Sequence, residues 1–233
     1  MQVELLEYTP NPETTVAMAA RLCYSSSDIS QLAAGMSQEE ASRLIRMLYR
    51  MGHLSPFEHA SFTFGISGVS RAMSHQLVRH RIASYSQKSQ RYVAERGFQY
   101  VLPPSIRNNE EARRLFAAEM AAIEQTYSRL VEAGIPREDA RYVLPNACET
   151  QLVATFNARS LLNFFRLRCC TRAQWEIRAV ANKMLLLVRK VAPTIFEKAG
   201  PSCISEGVCH EGKMSCGRIE RLRRTGRAGL GSL

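Results

Sequence analysis

An α+β single domain, with a small and mostly antiparallel sheet flanked by helices, is the fold class this sequence predicts. Three observations support it. Residues 60–67 and 151–157 alternate apolar and polar side chains with period two, the pattern of half-buried strands. Other segments repeat apolar residues at helical spacing between recognisable caps. A chain of 233 residues at 45% hydrophobic composition is long enough for one sizeable core and lies in the ordinary range for one domain. The domain is expected over residues 1–199, followed by a Cys- and Arg-rich tail at 200–233.

Taken in order, residues 2–8 read as a short strand ended by Thr9-Pro10. A helix then starts at Asn11, with Asn as cap and Pro12 in the first turn, carrying Val16, Met18, Ala19 and Leu22. Residues 25–35 are polar and loop-like. The next helix has the capping box Ser37-Gln38-Glu39-Glu40, the stripe Leu44, Ile45, Leu48 and Met51, and Gly52 as its stop. A connecting loop at 53–59 precedes the strand from Ala60, which Gly68 is expected to end. Ser70 can cap a helix through Met73 and Leu77 to about His80, which places Arg79 and Arg81 where cations complement the helix dipole.

Pro103-Pro104 is a breaker. A long helix fits 109–133, with Leu115, Ala118, Ala122, Ile123, Tyr127 and Leu130 as its stripe and Gly134 as its stop, and a short helical turn follows at 136–141. The strand at 151–157 leads into a helix over 158–168, with Arg159, Asn163 and Arg166 on one side and Leu161, Phe164 and Phe165 on the apolar side. Another helix spans 173–191. The tail from Gly200 has little apolar periodicity, and 218–227, with five Arg and one Glu, reads as a solvated basic end.

The opening Met1-Gln2-Val3-Glu4 lacks the basic and apolar regions of a secretory signal, and the longest apolar runs, such as 184–188, are far too short to span a bilayer. A soluble cytoplasmic protein with no membrane contact is expected. Seven scattered cysteines then imply reduced thiols rather than a disulfide framework. Two metal readings fall to simpler ones. His53, Glu58 and His59 match no helical ligand pair, and Cys203, Cys209, His210 and Cys216 lack a familiar zinc spacing, so no metal is expected.

The net charge of +10 marks a surface or cleft that attracts anions, whether nucleic acid, membrane or phosphorylated small molecules. The charge is concentrated. Residues 71–91 hold five Lys/Arg and no Asp/Glu, and residues 150–175 hold four Arg and again no acid. Arginine forks suit phosphate oxygens, and the neighbouring hydroxyls and amides can serve a base or ring edge. There is no glycine-rich dinucleotide fingerprint, P-loop or nucleophile elbow, so a bound nucleotide would be held by side chains. A nucleic-acid binder, stacking bases on Tyr85, Tyr92 and Tyr100, is the competing class.

Arg79-His80-Arg81, followed by seven residues and then Ser89, resembles the signature of the flavin-dependent thymidylate synthases. Ser55-Pro56-Phe57-Glu58-His59, Gly134-Ile135-Pro136-Arg137, Ala140-Arg141-Tyr142-Val143-Leu144-Pro145, Asn157-Ala158-Arg159-Ser160-Leu161 and Ala173-Gln174-Trp175-Glu176 are similar to the same family. The resemblance implies conversion of dUMP to dTMP. Methylenetetrahydrofolate would be the one-carbon donor, FADH2 the hydride donor and NADPH the reductant that regenerates it. It also implies a homotetramer with flavin sites at subunit interfaces and no stable nucleic-acid partner.

Carried onto this chain, the resemblance makes Ser55, Arg79, His80, Arg81, Gln87, Asn157, Arg159 and Asn163 the flavin-binding residues. Gln76, Arg79, Gln87, Lys88, Ser89, Gln90, Arg91, Arg141 and Arg168 become the dUMP-binding residues. Arg168 is the expected catalytic residue, a guanidinium that favours the N3-deprotonated pyrimidine without losing its own proton. Ser89 is a binder rather than a nucleophile. Two positions depart from the family pattern: many relatives have Asn-Glu in place of Ser86-Gln87, and some have histidine in place of Arg172.

Overall fold

The computed structural model describes residues 1–225 apart from 27 and 35, and only the backbone of 32–34. Among the described residues, eleven helices accompany one open antiparallel sheet of four strands. The strands are β1 (Gln2–Tyr8), β2 (Ser61–Ser70), β3 (Ser84–Gln87) and β4 (Glu149–Asn157), in the order β1-β2-β4-β3. The helices are α1 (Pro12–Leu22), α2 (Ile29–Ala34), α3 (Gln38–Met51), α4 (Arg71–Leu77), α5 (Pro104–Arg107), α6 (Glu110–Glu132), α7 (Arg137–Ala140), α8 (Ala158–Arg168), α9 (Trp175–Val191), α10 (Ser202–Ser205) and α11 (Arg218–Arg224). The α+β class and the small antiparallel sheet are as the sequence predicts.

Backbone packing divides the chain into two compact units. Unit 1 comprises residues 1–2, 65–79 and 85–153, and unit 2 comprises 3–64, 80–84 and 154 onward. Within unit 2 the core is formed by Val16 and Ala17 of α1, Ile45 of α3, Phe62 and Phe64 of β2, Leu161, Phe164 and Phe165 of α8, and Val180 and Met184 of α9, all fully buried. Its aromatic rings meet edge to face: Phe62 on Phe196 at 5.4 Å and Phe165 on Phe196 at 5.9 Å, with Phe164 tilted on Phe165 at 5.7 Å. Unit 1 has its own cluster of Phe98, Met120 and Cys148, covered by Phe116, Ile123, Leu144 and Ala147.

Capping chemistry sets most boundaries. Ser37 accepts from the Glu40 amide while Glu40 reaches back to the Ser37 amide, the reciprocal pair expected from that sequence. Ser70 caps α4 through the Met73 amide, Asn109 caps α6 through Ala112, and Asn157 caps α8 through Ser160. Asn11 also precedes its helix, but in the left-handed conformation at φ 47° and with no side-chain cap.

Several elements depart from expectation. Residues 29–34 of the expected loop form α2, because the Asp28 carboxylate caps the amide of Gln31; Gly35 lies outside the described residues. Gly68 does not end β2. It sits inside the strand at φ +66°, where a Cβ would come within 2.7 Å of the Met1 nitrogen. Helix α4 stops at Leu77, so His80 lies beyond it, on the turn into β3, a strand whose pattern is too short to read from sequence. Along α6 the second half of the expected stripe holds, with Tyr127 buried and Ile123 packed on the unit 1 cluster, but in the first half Phe116 and Met120 take the core side and Leu115 is 73% exposed. In the segment after 199, α10 and α11 flank a short 3-10 turn at Gly212–Met214, and Ile219 is buried. Residues 226 and 227 of the expected basic end lie outside the described residues.

A buried carboxylate ties the two ends of unit 2's helical layer. Glu13, 3% exposed, accepts from the Thr194 and Ile195 amides, from Thr194 Oγ1 at 3.0 Å and from Gln38 Nε2 at 2.7 Å. Replacing it leaves the amides of half-buried Thr194 and buried Ile195 without their acceptor. Glu13→Ala is expected to lose about 3 kcal/mol of stability in urea unfolding, and Glu13→Gln clearly less. An alanine variant within about half a kcal/mol of the parent would contradict this role.

Candidate active site

The centre of the site is a pair within unit 2. Helix α8 follows directly from β4, with the Asn157 side chain fixing the turn, and buries Leu161, Phe164 and Phe165. Arg168, four residues after Phe164, therefore projects from the same side of the last turn. There its Nε donates to His80 Nε2 at 3.0 Å, and the His80 ring stands edge-on to Phe164, 4.9 Å between centroids at 84°. An arginine can only donate, so His80 Nε2 is unprotonated and the imidazole carries its proton on Nδ1. Burial first, and the Arg168 charge second, push the His80 pKa from the usual 6.5 down to about 4. The imidazole is thus neutral over the physiological range and acts as a fixed acceptor.

A polar cluster fills part of unit 1. Gln87 Nε2 donates to Ser74 Oγ at 2.9 Å and to Thr150 Oγ1 at 3.2 Å. Lys88 pairs with Glu95 at 3.1 Å, whose side chain is 6% exposed, and its carbonyl accepts from Arg71 Nη2. Gln90 Nε2 contacts Cys148 Sγ, and Ser89 Oγ accepts from the Arg91 amide. Arg91 pairs with Glu138, and Arg141 Nε donates to the Glu138 carbonyl at 3.1 Å, so these two arginines meet at one residue. Gln87, Lys88, Ser89, Gln90, Arg91 and Arg141 are thereby brought together, with Gln76 half-buried on α4 in the same unit.

The remaining expected residues lie along unit 2. Ser55 opens a 3-10 turn, Ser55–His59. Arg159 pairs with Glu58 of that turn, and Asn163 Oδ1 accepts from Arg166, which also pairs with Glu206. The arginines at 159 and 166 therefore flank Asn163 on the polar side of α8, as the spacing predicts. Arg81 is exposed on the turn that carries His80, and Arg79, at the end of its unit 1 segment, is exposed too. Among the described residues neither Arg79 nor Arg81 pairs with a carboxylate. In the expected set of flavin residues only Arg79 and Gln87 belong to unit 1, and in the dUMP set only Arg168 belongs to unit 2.

The stretches that hold no acid in sequence are not acid-free in space. Glu95, Glu138, Glu58, Glu206 and Glu211 reach Lys88, Arg91, Arg159, Arg166 and Arg172 respectively. Glu95 lies only 7 positions from Lys88, just past the acid-free stretch, but the other carboxylates come from distant segments, Glu58 lying 101 positions from Arg159. Sequence reading also missed Ser74 and Thr150, which orient Gln87, and the half-buried Arg71, whose buried Nε has no hydrogen-bond partner among the described residues. Tyr85 is not presented for stacking: its hydroxyl donates to the Leu77 carbonyl at 3.0 Å, and burial raises its pKa. Among the described residues no three His, Cys, Asp or Glu side chains are arranged to hold a metal ion, and Glu58 is engaged by Arg159 instead.

A family model described as thymidylate synthase complementing protein matches residues 4–194. A flavin-dependent thymidylate synthase of Geobacter sulfurreducens is 54% identical over 226 residues, covering 96% of this chain and 97% of that one. The enzyme of the same name from Clostridium tetani is 50% identical, covering 96% of each chain, and that of Pyrococcus furiosus is 41% identical, covering 91% and 90%. Such matches run through every segment of the site just described, and the chain belongs to the flavin-dependent thymidylate synthase family of enzymes.

Proposed function

We propose that this enzyme makes dTMP by reductive methylation of dUMP, with methylenetetrahydrofolate as one-carbon donor and NADPH as the reductant of its flavin. The observation that carries the reading is the Arg168–His80 pair, a guanidinium held at a fixed orientation by a buried neutral imidazole. Arg168 is the catalytic residue. Its permanent charge, set against the pyrimidine, favours the N3-deprotonated form and so makes C5 the nucleophile. His80 is a positioning residue for that charge, because a hydrogen bond to Nε fixes the plane of the guanidinium. No nucleophile from the protein is required, and Ser89 serves the substrate as a hydrogen-bonding group.

The residues present fit an anionic flavin dinucleotide. Arg79 and Arg81 are exposed cations that no carboxylate of the described chain neutralises, and the polar side of α8 adds Arg159 and Asn163. Ser55, Arg79, His80, Arg81, Gln87, Asn157, Arg159 and Asn163 would hold FAD, which when bound supplies the hydride. Gln76, Arg79, Gln87, Lys88, Ser89, Gln90, Arg91, Arg141 and Arg168 would hold dUMP. In this role the Glu138 bridge keeps Arg91 and Arg141 side by side, and Ser74 and Thr150 hold the Gln87 amide. Where many relatives have a carboxylate, the Gln87 amide can still hydrogen-bond a base edge. A cytoplasmic homotetramer with flavin at the subunit interfaces completes the proposal, with residues 1–199 as the catalytic domain.

Two measurements test it. Purified protein should show a flavin absorption band and form dTMP from dUMP only when methylenetetrahydrofolate and NADPH are both supplied. Colourless protein that takes up no FAD and binds RNA with a steep salt dependence would refute the reading. Nitrogen-15 NMR of the imidazoles should show His80 as the Nδ1–H tautomer, titrating near pH 4 and moving upward in Arg168→Gln. The sign follows from the depressed pKa: the contact is complete above the ordinary value of 6.5, and the stability it confers falls away as pH drops from there towards about 4. A His80 that titrates near 6.5 would show that Arg168 is not held this way.

A further inference from the structure

A second concentration of reactive side chains lies in unit 2, in the segment after α9, and the proposed chemistry leaves it unused. Cys170, Cys203, Cys209 and Cys216 line one small cavity together with Thr171 and Arg218. The cavity, of about 10 Å³, has room for one water-sized body and for no organic ligand. Because no three of these side chains are arranged as metal ligands, the cluster is better explained by the chemistry of its thiols.

The four are not equivalent. Cys216 is exposed, and the Thr171 side chain and the Arg218 amide hydrogen-bond its sulfur, which lowers its pKa and favours the thiolate. Cys203 is half-buried, and burial raises its pKa, against the charge and hydrogen bond of the Arg218 guanidinium and with a smaller contribution from the neighbouring Cys216 and Cys170. Arg218 thus touches both sulfurs, through its side chain at Cys203 and its backbone at Cys216. Cys209 is occupied with Ser215 Oγ at 3.6 Å.

We infer that Cys216 and Cys203 form a modification site, an oxidisable thiol pair that a hydroperoxide converts to a disulfide. The Cys216 thiolate attacks the terminal oxygen of the hydroperoxide, forming an S–O bond as the O–O bond breaks and alkoxide, or hydroxide from hydrogen peroxide, leaves and takes up a proton from water. The resulting sulfenic acid carries no charge, which removes one of the influences that keep Cys203 protonated. The Cys203 sulfur then attacks the sulfenic sulfur, an S–S bond replaces the S–O bond, and water departs. In balance, two thiols and one hydroperoxide give one disulfide, water and the alcohol, or two waters when the oxidant is hydrogen peroxide. The bond closes the loop between α10 and α11. This loop carries Glu206 and Glu211, the partners of Arg166 and Arg172, and three of its glycines have positive φ, two of them in open space.

The test treats the full-length protein with equimolar hydrogen peroxide and maps the products by peptide mass. Cys23, exposed on unit 2 outside this cavity, is the internal control. Cys216 should react at least about tenfold faster than Cys23. The product should be a Cys203–Cys216 crosslink lighter by two hydrogens and reversible with dithiothreitol. In Cys203→Ser, the Cys216 sulfenic acid should be trapped by dimedone, and in Cys216→Ser, Cys203 should stay reduced at the same dose. Equal reactivity of Cys216 and Cys23, or a crosslink that joins other cysteines, would overturn the assignment. So would one tightly bound zinc ion per chain that shields the thiols.

Discussion

Desolvation of one imidazole is the constraint on which the account of the site depends. His80 stands edge-on to Phe164, and Phe164 belongs to a series of ring contacts that runs through Phe165 and Phe196 to Phe62 of β2. A ring held against that core loses water on one side and resists a positive charge, and the Arg168 guanidinium beside it adds to the resistance. The result is an acceptor that stays neutral and does not move. An arginine on the last turn of a helix would otherwise sample many rotamers; here packing in the core is converted into the orientation of a charge at the surface.

The distribution of carboxylates sorts the remaining cations by task. Lys88, Arg91, Arg159, Arg166 and Arg172 each have an acidic partner, while Arg79 and Arg81 have none among the described residues. Most of these pairs are exposed and contribute little to stability. Their effect is to limit where excess positive charge is presented, so that a net charge of +10 does not become a uniformly cationic surface. The Lys88–Glu95 pair differs, because Glu95 is buried and its amide is also held by the Tyr127 hydroxyl, which fixes the segment after β3 against α6 within unit 1.

Much of the fold was legible because its signals are local. Caps at Ser37 and Ser70 each need only three or four consecutive residues, and the alternation in β4 and the apolar side of α8 need fewer than a dozen. The misreadings also have local causes. The α2 cap rests on a single Asp in a polar run, and the four residues of β3 are too few to show a period. Along the first half of α6, several weakly apolar alanines allowed the stripe to be drawn through Leu115 and Ala118 instead of Phe116 and Met120. At the site, the signature 79–92 and the arginines of α8 stood out by composition. What could not be read was pairing at long separation: the contact of His80 with Arg168 spans 88 positions, and nothing near either residue indicates that one would accept from the other.

In the proposed mechanism Arg168, held by His80, supplies the charge that activates the pyrimidine. The most direct test is single-turnover dTMP formation by Arg168→Ala, in protein shown to keep its fold and its flavin, beside Arg168→Lys, which keeps the charge without the planar fork. Alanine should lose at least about a hundredfold, with partial recovery for lysine, as happens when a fixed charge in the transition state is removed. A rate for the alanine variant equal to that of the parent would contradict the proposed mechanism.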